Sequence, residues 1–209
     1  MSYRRNYALF GGSFDPVHNA HVIIAQKLFE ILNPLKKMYI VPAGCSPFKT
    51  DEENTPFDIR YRWCESAFSG LKGIEVLDIE RDTGIEKPSY TIDTLNRFYD
   101  RFGEYPVLVI GEDSLQGFHK WRAFDEIMKK TTLSVYKRRF SSQLSEAERR
   151  YPDRISIHDT AYIEISSTEI RERLRRGKTI RGFVPQSIEV EVIAYYRSKR
   201  RMKQGDTNE

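Results

Sequence analysis

Short apolar runs alternate along this chain with longer segments in which apolar residues recur every three or four positions. The runs "NYALF" (6–10), "MYIVPA" (38–43), "IEVLDIE" (74–80), "PVLVIG" (106–111), "TLSVYKR" (132–138) and "RISIHD" (154–159) predict strands. Between them, "HVIIAQKLFEILN" (21–33) predicts an amphipathic helix stopped by Pro34. A second helix is predicted over 55–70, with Thr55 as its N-cap, Pro56 at its first position and Gly70 after its end. "TIDTLNRFYDRFG", "FDEIMKK", "SSTEIRERLRRG" and "PQSIEVEVIAYYRSKR" predict four more. The uninterrupted apolar run "PVLVIG" suits a parallel strand covered on both faces. Strands alternating with helices predict an α/β, doubly wound parallel sheet with helices on both faces and right-handed crossovers. One domain spanning 1–209 is expected, with a helical C-terminal part at about 166–200. Residues 139–153 read as a polar surface excursion and 201–209 as a disordered tail.

Composition changes this picture little. With 209 residues, 39% hydrophobic and 31% charged, the chain can bury a core without staples, as a soluble globular protein does. Cys45 and Cys64 lack metal-type spacing and are expected as reduced thiols. No segment is apolar for long enough to cross a bilayer, and "MSYRRNYALF" has no signal-peptide core. A cytoplasmic location is therefore expected, with no membrane partner.

Charge adds more. Residues 166–209 carry eleven Lys/Arg against six Asp/Glu, while the remainder is near neutral. A basic C-terminal fifth suits an anionic partner, either nucleic acid or a phosphate-bearing small molecule; a solvated helix face is the bland alternative. A nucleic-acid module would need exposed aromatics and a groove-entering element. "IEVEVIAYY" reads instead as a core-packing helix, so no nucleic-acid partner is expected. The pattern leaves the oligomeric state open and is compatible with a homo-oligomer.

The densest chemistry lies in "GGSFDPVHNAH", Gly11 to His21, at the junction of the first strand and first helix. Ligands of doubly wound folds bind at the carboxyl ends of strands, and glycine there lets a ligand approach the backbone closely. The stretch is neither a dinucleotide fingerprint nor a P-loop, because the P-loop lysine is absent. His18 and His21 stand three apart, so both project from one face of the helix start. A metal site would need further ligands, and only Asn19 and Ala20 lie between. A pair that merely caps or packs the helix start is the second reading. Donors to a transferring phosphoryl group form the third, favoured by the glycines before and the helix N-terminus itself.

These residues resemble the signature of the nucleotidylyltransferase superfamily, G-[GT]-[ST/F]-F-D-P-x-H-x-G-H. A second signature of that superfamily, I-S-S-T-x-I-R, is matched by "ISSTEIR", Ile165 to Arg171. "VPAGCSPFK", "PSYTIDTL", "GEDSLQGFHKW" and "VPQSIEVEVIAYY" further resemble the bacterial nicotinate-nucleotide adenylyltransferase family, over residues 6–197. Two positions depart: Ala20 replaces the glycine of HxGH, and Phe48 replaces a histidine before the retained Lys49.

The resemblance implies a Rossmann-like fold and an adenylyltransferase joining nicotinate mononucleotide and ATP, with release of pyrophosphate. It implies catalytic roles for His18, His21 and Arg171. ATP and phosphate binding falls to Gly11, Gly12, Ser13, Phe14, Lys49, Gly111, Asp113, Ser166, Ser167 and Thr168. Nicotinate binding falls to Thr91, Trp121 and Arg122. Asp15 is expected to order the turn, and His119 to be a loop histidine without a catalytic task. Mg²⁺ is expected as the cofactor, bridging ATP oxygens with mostly water ligands, so no protein metal-ligand set is assigned. Phosphopantetheine adenylyltransferase is a rival, though its members are usually shorter and lack the "PSYTIDTL" and "GEDSL…W" stretches. An enzyme for nicotinamide mononucleotide is another rival, whose substrate differs by one carboxylate.

Overall fold

The computed structural model describes residues 5–44, 55–81, 89–137, 144–160 and 163–205, with side chains described to residue 200. Six strands form one parallel sheet: β1 (Tyr7–Gly12), β2 (Lys37–Pro42), β3 (Ile74–Val76), β4 (Val107–Gly111), β5 (Leu133–Tyr136) and β6 (Ile155–His158). Their order is β3-β2-β1-β4-β5-β6. The chain winds outward from β1 to β3, then returns to the other side of β1 as β4. The switch point of the sheet therefore falls between β1 and β4, where parallel folds open a crevice.

Alternation along the strands divides the core in two. Ala8 and Phe10 of β1, with Met38 and Ile40 of β2, face one side. They pack against α1 (Asn19–Ile31), α2 (Phe57–Phe68), α7 (Ser167–Arg175) and α8 (Gln186–Gly205) through Ile24, Leu28, Trp63, Ile170, Ile188 and Val192. Leu9, Tyr39, Leu108 and Ile110 face the other side. There they meet α3 (Thr91–Phe102), α4 (Glu112–Gly117) and α5 (Phe124–Lys130) through Leu95, Phe98, Leu115, Ile127 and Met128. The fold is the α/β, doubly wound sheet with helices on both faces that the periodicity predicts.

Several boundaries differ from the sequence reading, each for a local reason. Pro56, not Thr55, is the N-cap of α2. The Thr55 hydroxyl instead meets Tyr196, and its carbonyl accepts from buried Arg60. The strand expected over 74–80 ends at Val76, because the chain turns at Asp78 with the Arg81 N–H bonded to its carbonyl. A fourth helix, α4, follows β4 without a connecting loop. The polar stretch 139–153 contains α6 (Glu146–Arg150), opened by a capping box in which Ser145 and Glu148 each accept the other's backbone N–H. The last helix, α8, continues to Gly205, five residues into the segment expected as a tail.

Candidate functional site

At the carboxyl end of β1 the chain leaves the sheet through Gly11 and Gly12 and enters α1 at His18. A Cβ at Gly12 would stand 3.2 Å from the Phe14 ring, so the ring closes over the glycine backbone. Phe14 is buried and holds φ at +46°, a left-handed conformation that a bulky residue adopts only when its surroundings enforce it. Its ring meets His21 edge-on at 4.8 Å.

The two histidines stack on each other, ring centroids 3.6 Å apart and 17° from parallel. The His18 backbone N–H donates to Nδ1 of His21 at 3.2 Å. An Nδ1 that accepts leaves the proton of a neutral imidazole on Nε2, so the tautomer of His21 is set by the helix start. Asn19 is bound from the far end of the chain: its backbone N–H donates to Phe183 O and its amide to Gly182 O and Val184 O.

The second signature lies against the first. Ser166 is the N-cap of α7, its hydroxyl accepting the Glu169 N–H. Ser167 donates to the Pro16 carbonyl at 2.9 Å. Arg171, one turn on, donates to the Asp15 carbonyl at 2.6 Å and to the Thr168 hydroxyl at 3.2 Å. Residues more than 150 positions apart thus form one rim of hydrogen-bond donors at the end of β1.

Beneath this rim is a residue that the sequence reading missed. Arg60 of α2 is 4% exposed and donates to the carbonyls of Ser13, Ala43, Gly44 and Thr55. It joins the loops after β1 and β2 to the start of α2. Burial pulls its guanidinium below the usual range, with Asp15 the leading charge that opposes this. A lone arginine within a helical pattern carries no sequence signal for such a role. Glu80 was missed as well; this buried carboxylate accepts from the Thr94 hydroxyl and from the Gly44 N–H.

Next to the rim, across the switch point, lies a cleft of ≈ 650 Å³. Gly11, Gly12 and Ser13 form one wall, and Thr91, Trp121 and Arg122 form part of the other. Thr91 is the first residue of α3, whose N-cap Tyr90 supplies no side-chain cap. Trp121 is half-buried, packed on Phe118 at 4.7 Å, and also faces the cleft, so core contact and cleft lining coexist in one indole. The Arg122 guanidinium sits 4.5 Å over the Tyr90 ring. Gly111 is the N-cap of α4 and Asp113 lies in its first turn rather than at the cap. A Cβ at Gly111 would collide with the Asp113 carboxylate and press on Tyr136, so glycine there makes room for Asp113. His119 borders a separate depression with Gln116 and Arg149. Lys49, Phe48 and Cys45 lie outside the described residues.

Among the described residues no group of three or more His, Cys, Asp or Glu is placed to hold a metal ion, and no helix is long and apolar enough to cross a membrane. Part of the basic surplus is answered locally, because Arg173, Arg175 and Arg176 pair with Glu169 and Glu172 of the same helix.

A Rossmann-like parallel sheet, with a glycine-lined cleft and a donor rim at its switch point, is the architecture of the nucleotide-binding class of α/β proteins. Residues 9–173 match the family model described as Cytidylyltransferase-like. A probable nicotinate-nucleotide adenylyltransferase of Thermotoga sp. (strain RQ2) is 39% identical over 199 residues, 94% of this chain and 99% of the relative. One so named from Clostridium tetani (strain Massachusetts / E88) is 34% identical, covering 86% and 92%. Plasmodium falciparum nicotinic acid mononucleotide adenylyltransferase complexed with NaAD superposes with a TM-score of 0.75 at 19% identity, over 94% of this chain and 98% of that one. The chain belongs to the nicotinate-nucleotide adenylyltransferase family.

Proposed function

We propose that this enzyme transfers the adenylyl group of ATP to nicotinate mononucleotide, giving deamido-NAD and pyrophosphate, a step in building NAD. An oxygen of the mononucleotide 5′-phosphate attacks the α-phosphorus of ATP in line, and the bond to the bridging oxygen of pyrophosphate breaks. The nucleophile is already an anion at neutral pH, so no general base is needed. Catalysis then consists of alignment and neutralisation of phosphate charge.

The observation that carries this reading is the meeting of the two signatures: Arg171 and Ser167 hydrogen-bond the Asp15 and Pro16 carbonyls, on the loop that leads into His18. A phosphate chain along this rim meets the Gly11–Phe14 backbone, the two imidazoles and, at its far end, Arg171. A planar guanidinium suits the β- and γ-phosphate oxygens. Ser166, Ser167 and Thr168 add hydroxyl and backbone donors at the start of α7, and Lys49 adds charge. The substrate would be MgATP, the ion supplying charge neutralisation while the rim residues donate to the phosphates. Gly111 and Asp113 are assigned to a nucleotide ribose. The cleft is the size of a small-ligand site. In it Trp121 stacks on the electron-poor pyridine ring, while Arg122 and the backbone donors at Thr91 receive the carboxylate. We place the enzyme in the cytoplasm, as one folded unit comprising the sheet and its C-terminal helices.

Pyrophosphate release from ATP with each mononucleotide tests the reading. Nicotinate mononucleotide should exceed the nicotinamide form by at least about tenfold in kcat/KM, because an amide sets its own NH₂ against the site's donors, at about 1–3 kcal/mol. Trp121→Ala should weaken both acceptors and leave their ratio largely intact. Equal use of the two by the wild type would remove the carboxylate pocket from this account.

A further inference from the structure

The loop that joins the two signatures is held from a third direction, by the last helix. Tyr196 of α8 donates its Oη–H to Oδ1 of Asp15 at 2.9 Å. A phenol has one proton to give, so the Thr55 hydroxyl, 3.2 Å away, is the donor to Tyr196 Oη. The tyrosine ring is set by Trp63, stacked at 6.3 Å and 29°, and by Tyr195, edge-on at 5.2 Å. Asp15 is 2% exposed, so its carboxylate depends on protein donors rather than water. The backbone carbonyl of the same Asp15 accepts from Arg171.

We infer that Tyr196 is a positioning residue for the phosphate-binding guanidinium: it fixes the Asp15 carboxylate, and through it the peptide that aims Arg171. The inference rests on the assignment of Arg171 as the clamp on ATP. Without the phenol hydroxyl, the buried carboxylate turns toward another donor, and the 15–16 peptide moves with it. Two planar groups then meet at a poorer angle, which matters most for a fork that must grip two oxygens at once. The wall assigned to the acceptor, Thr91, Trp121 and Arg122, comes from α3 and the turn at Trp121 rather than from the loop that carries Asp15, so the acceptor contacts stay in place.

Steady-state kinetics of Tyr196→Phe test this with both substrates varied. The expected result is a rise of about five- to tenfold in KM for ATP, a smaller fall in kcat, and an unchanged KM for nicotinate mononucleotide. A merely structural tyrosine would lower the melting temperature and leave the KM for ATP of the folded enzyme alone, which would overturn the inference. The double variant with Arg171→Lys supplies the second readout. If Tyr196 acts through Arg171, adding Y196F to R171K costs no further kcat/KM for ATP. Multiplying losses would show independent action and overturn the inference. If R171K impairs ATP use and Y196F does not, the inference fails while the assignment of Arg171 as the clamp stands; if R171K itself matches wild type, that assignment fails and the inference with it. Should Y196F not fold, Thr55→Val removes the donor behind the phenol and is expected to raise the same KM about two- to threefold, an unchanged KM overturning the inference.

Discussion

His18 and His21 meet two structural demands, helix capping and ring packing, and we propose a third, donation to phosphate. Their stacking and the His18 N–H to His21 Nδ1 bond are structural by themselves, yet the same bond leaves the His21 Nε2–H as the donor. We expect His18→Ala and His21→Ala each to lower kcat by roughly 10²–10³, the range seen when a donor to developing oxyanion charge is lost. His21→Ala should also cost about 1 kcal/mol of stability, because the His18 N–H loses its acceptor. Stopped-time assays on folded protein, with thermal melts alongside, separate the two effects; full turnover in either variant would remove that histidine from the chemistry. Arg171→Lys keeps the charge and loses the fork, so kcat/KM for ATP should fall by at least about tenfold while affinity for the mononucleotide holds. Equal values would leave Arg171 a structural donor to Asp15 and Thr168.

At the scale of elements, helix starts and strand ends carry the site, and their sequence signals vary in strength. In "SSTE" a serine stands three residues before a glutamate, the pattern of an N-terminus, and Ser166 is the residue that caps α7. Ser166→Ala should lower stability by about 1 kcal/mol, read from a denaturant midpoint, without touching the sheet. Two glycines separate fold from function. A Cβ at Gly11 would meet nothing closer than 3.6 Å, whereas one at Gly111 collides with Asp113. Gly11→Ala is therefore expected to melt like wild type and to bind ATP more weakly, the added methyl standing where phosphate approaches. Gly111→Ala should lose about 1–3 kcal/mol of stability, as small-to-large changes in packed positions do. Loss of the same stability in both would show that Gly11 serves packing rather than the cradle. The N-cap of α2 was not legible, because Thr55 is drawn into the network of Arg60 and Tyr196, which local sequence does not encode.

For the whole molecule, the C-terminal helices belong to the core and do not decorate it. Ile188 and Val192 of α8 are fully buried in the cluster that holds Phe14, Val17 and Trp63, behind the donor rim. Each such side chain contributes about 1.5–3 kcal/mol by burial, a large part of the net stability of a domain. A chain ending at Val184 should therefore fail to melt cooperatively by circular dichroism. A sharp, wild-type-like transition in the truncated chain would show that the helical part is a separable unit.

The sequence by itself determined the class of the fold and the residues that crowd the switch point. Periodicity of two against three to four, and glycines where a ligand meets backbone, are local properties that a single chain displays openly. Tertiary structure alone decided which donors share a site. The approach of Arg171 to the Asp15 carbonyl spans 156 positions, and that of the Tyr196 phenol to the Asp15 carboxylate spans 181. Nor does any sequence period announce Arg60 or Glu80, because a buried charge is tolerated only where loops from several strands converge to supply its hydrogen bonds. That convergence is a property of the wound sheet, since the parallel strands deliver all their carboxyl ends to one edge and let distant segments meet there.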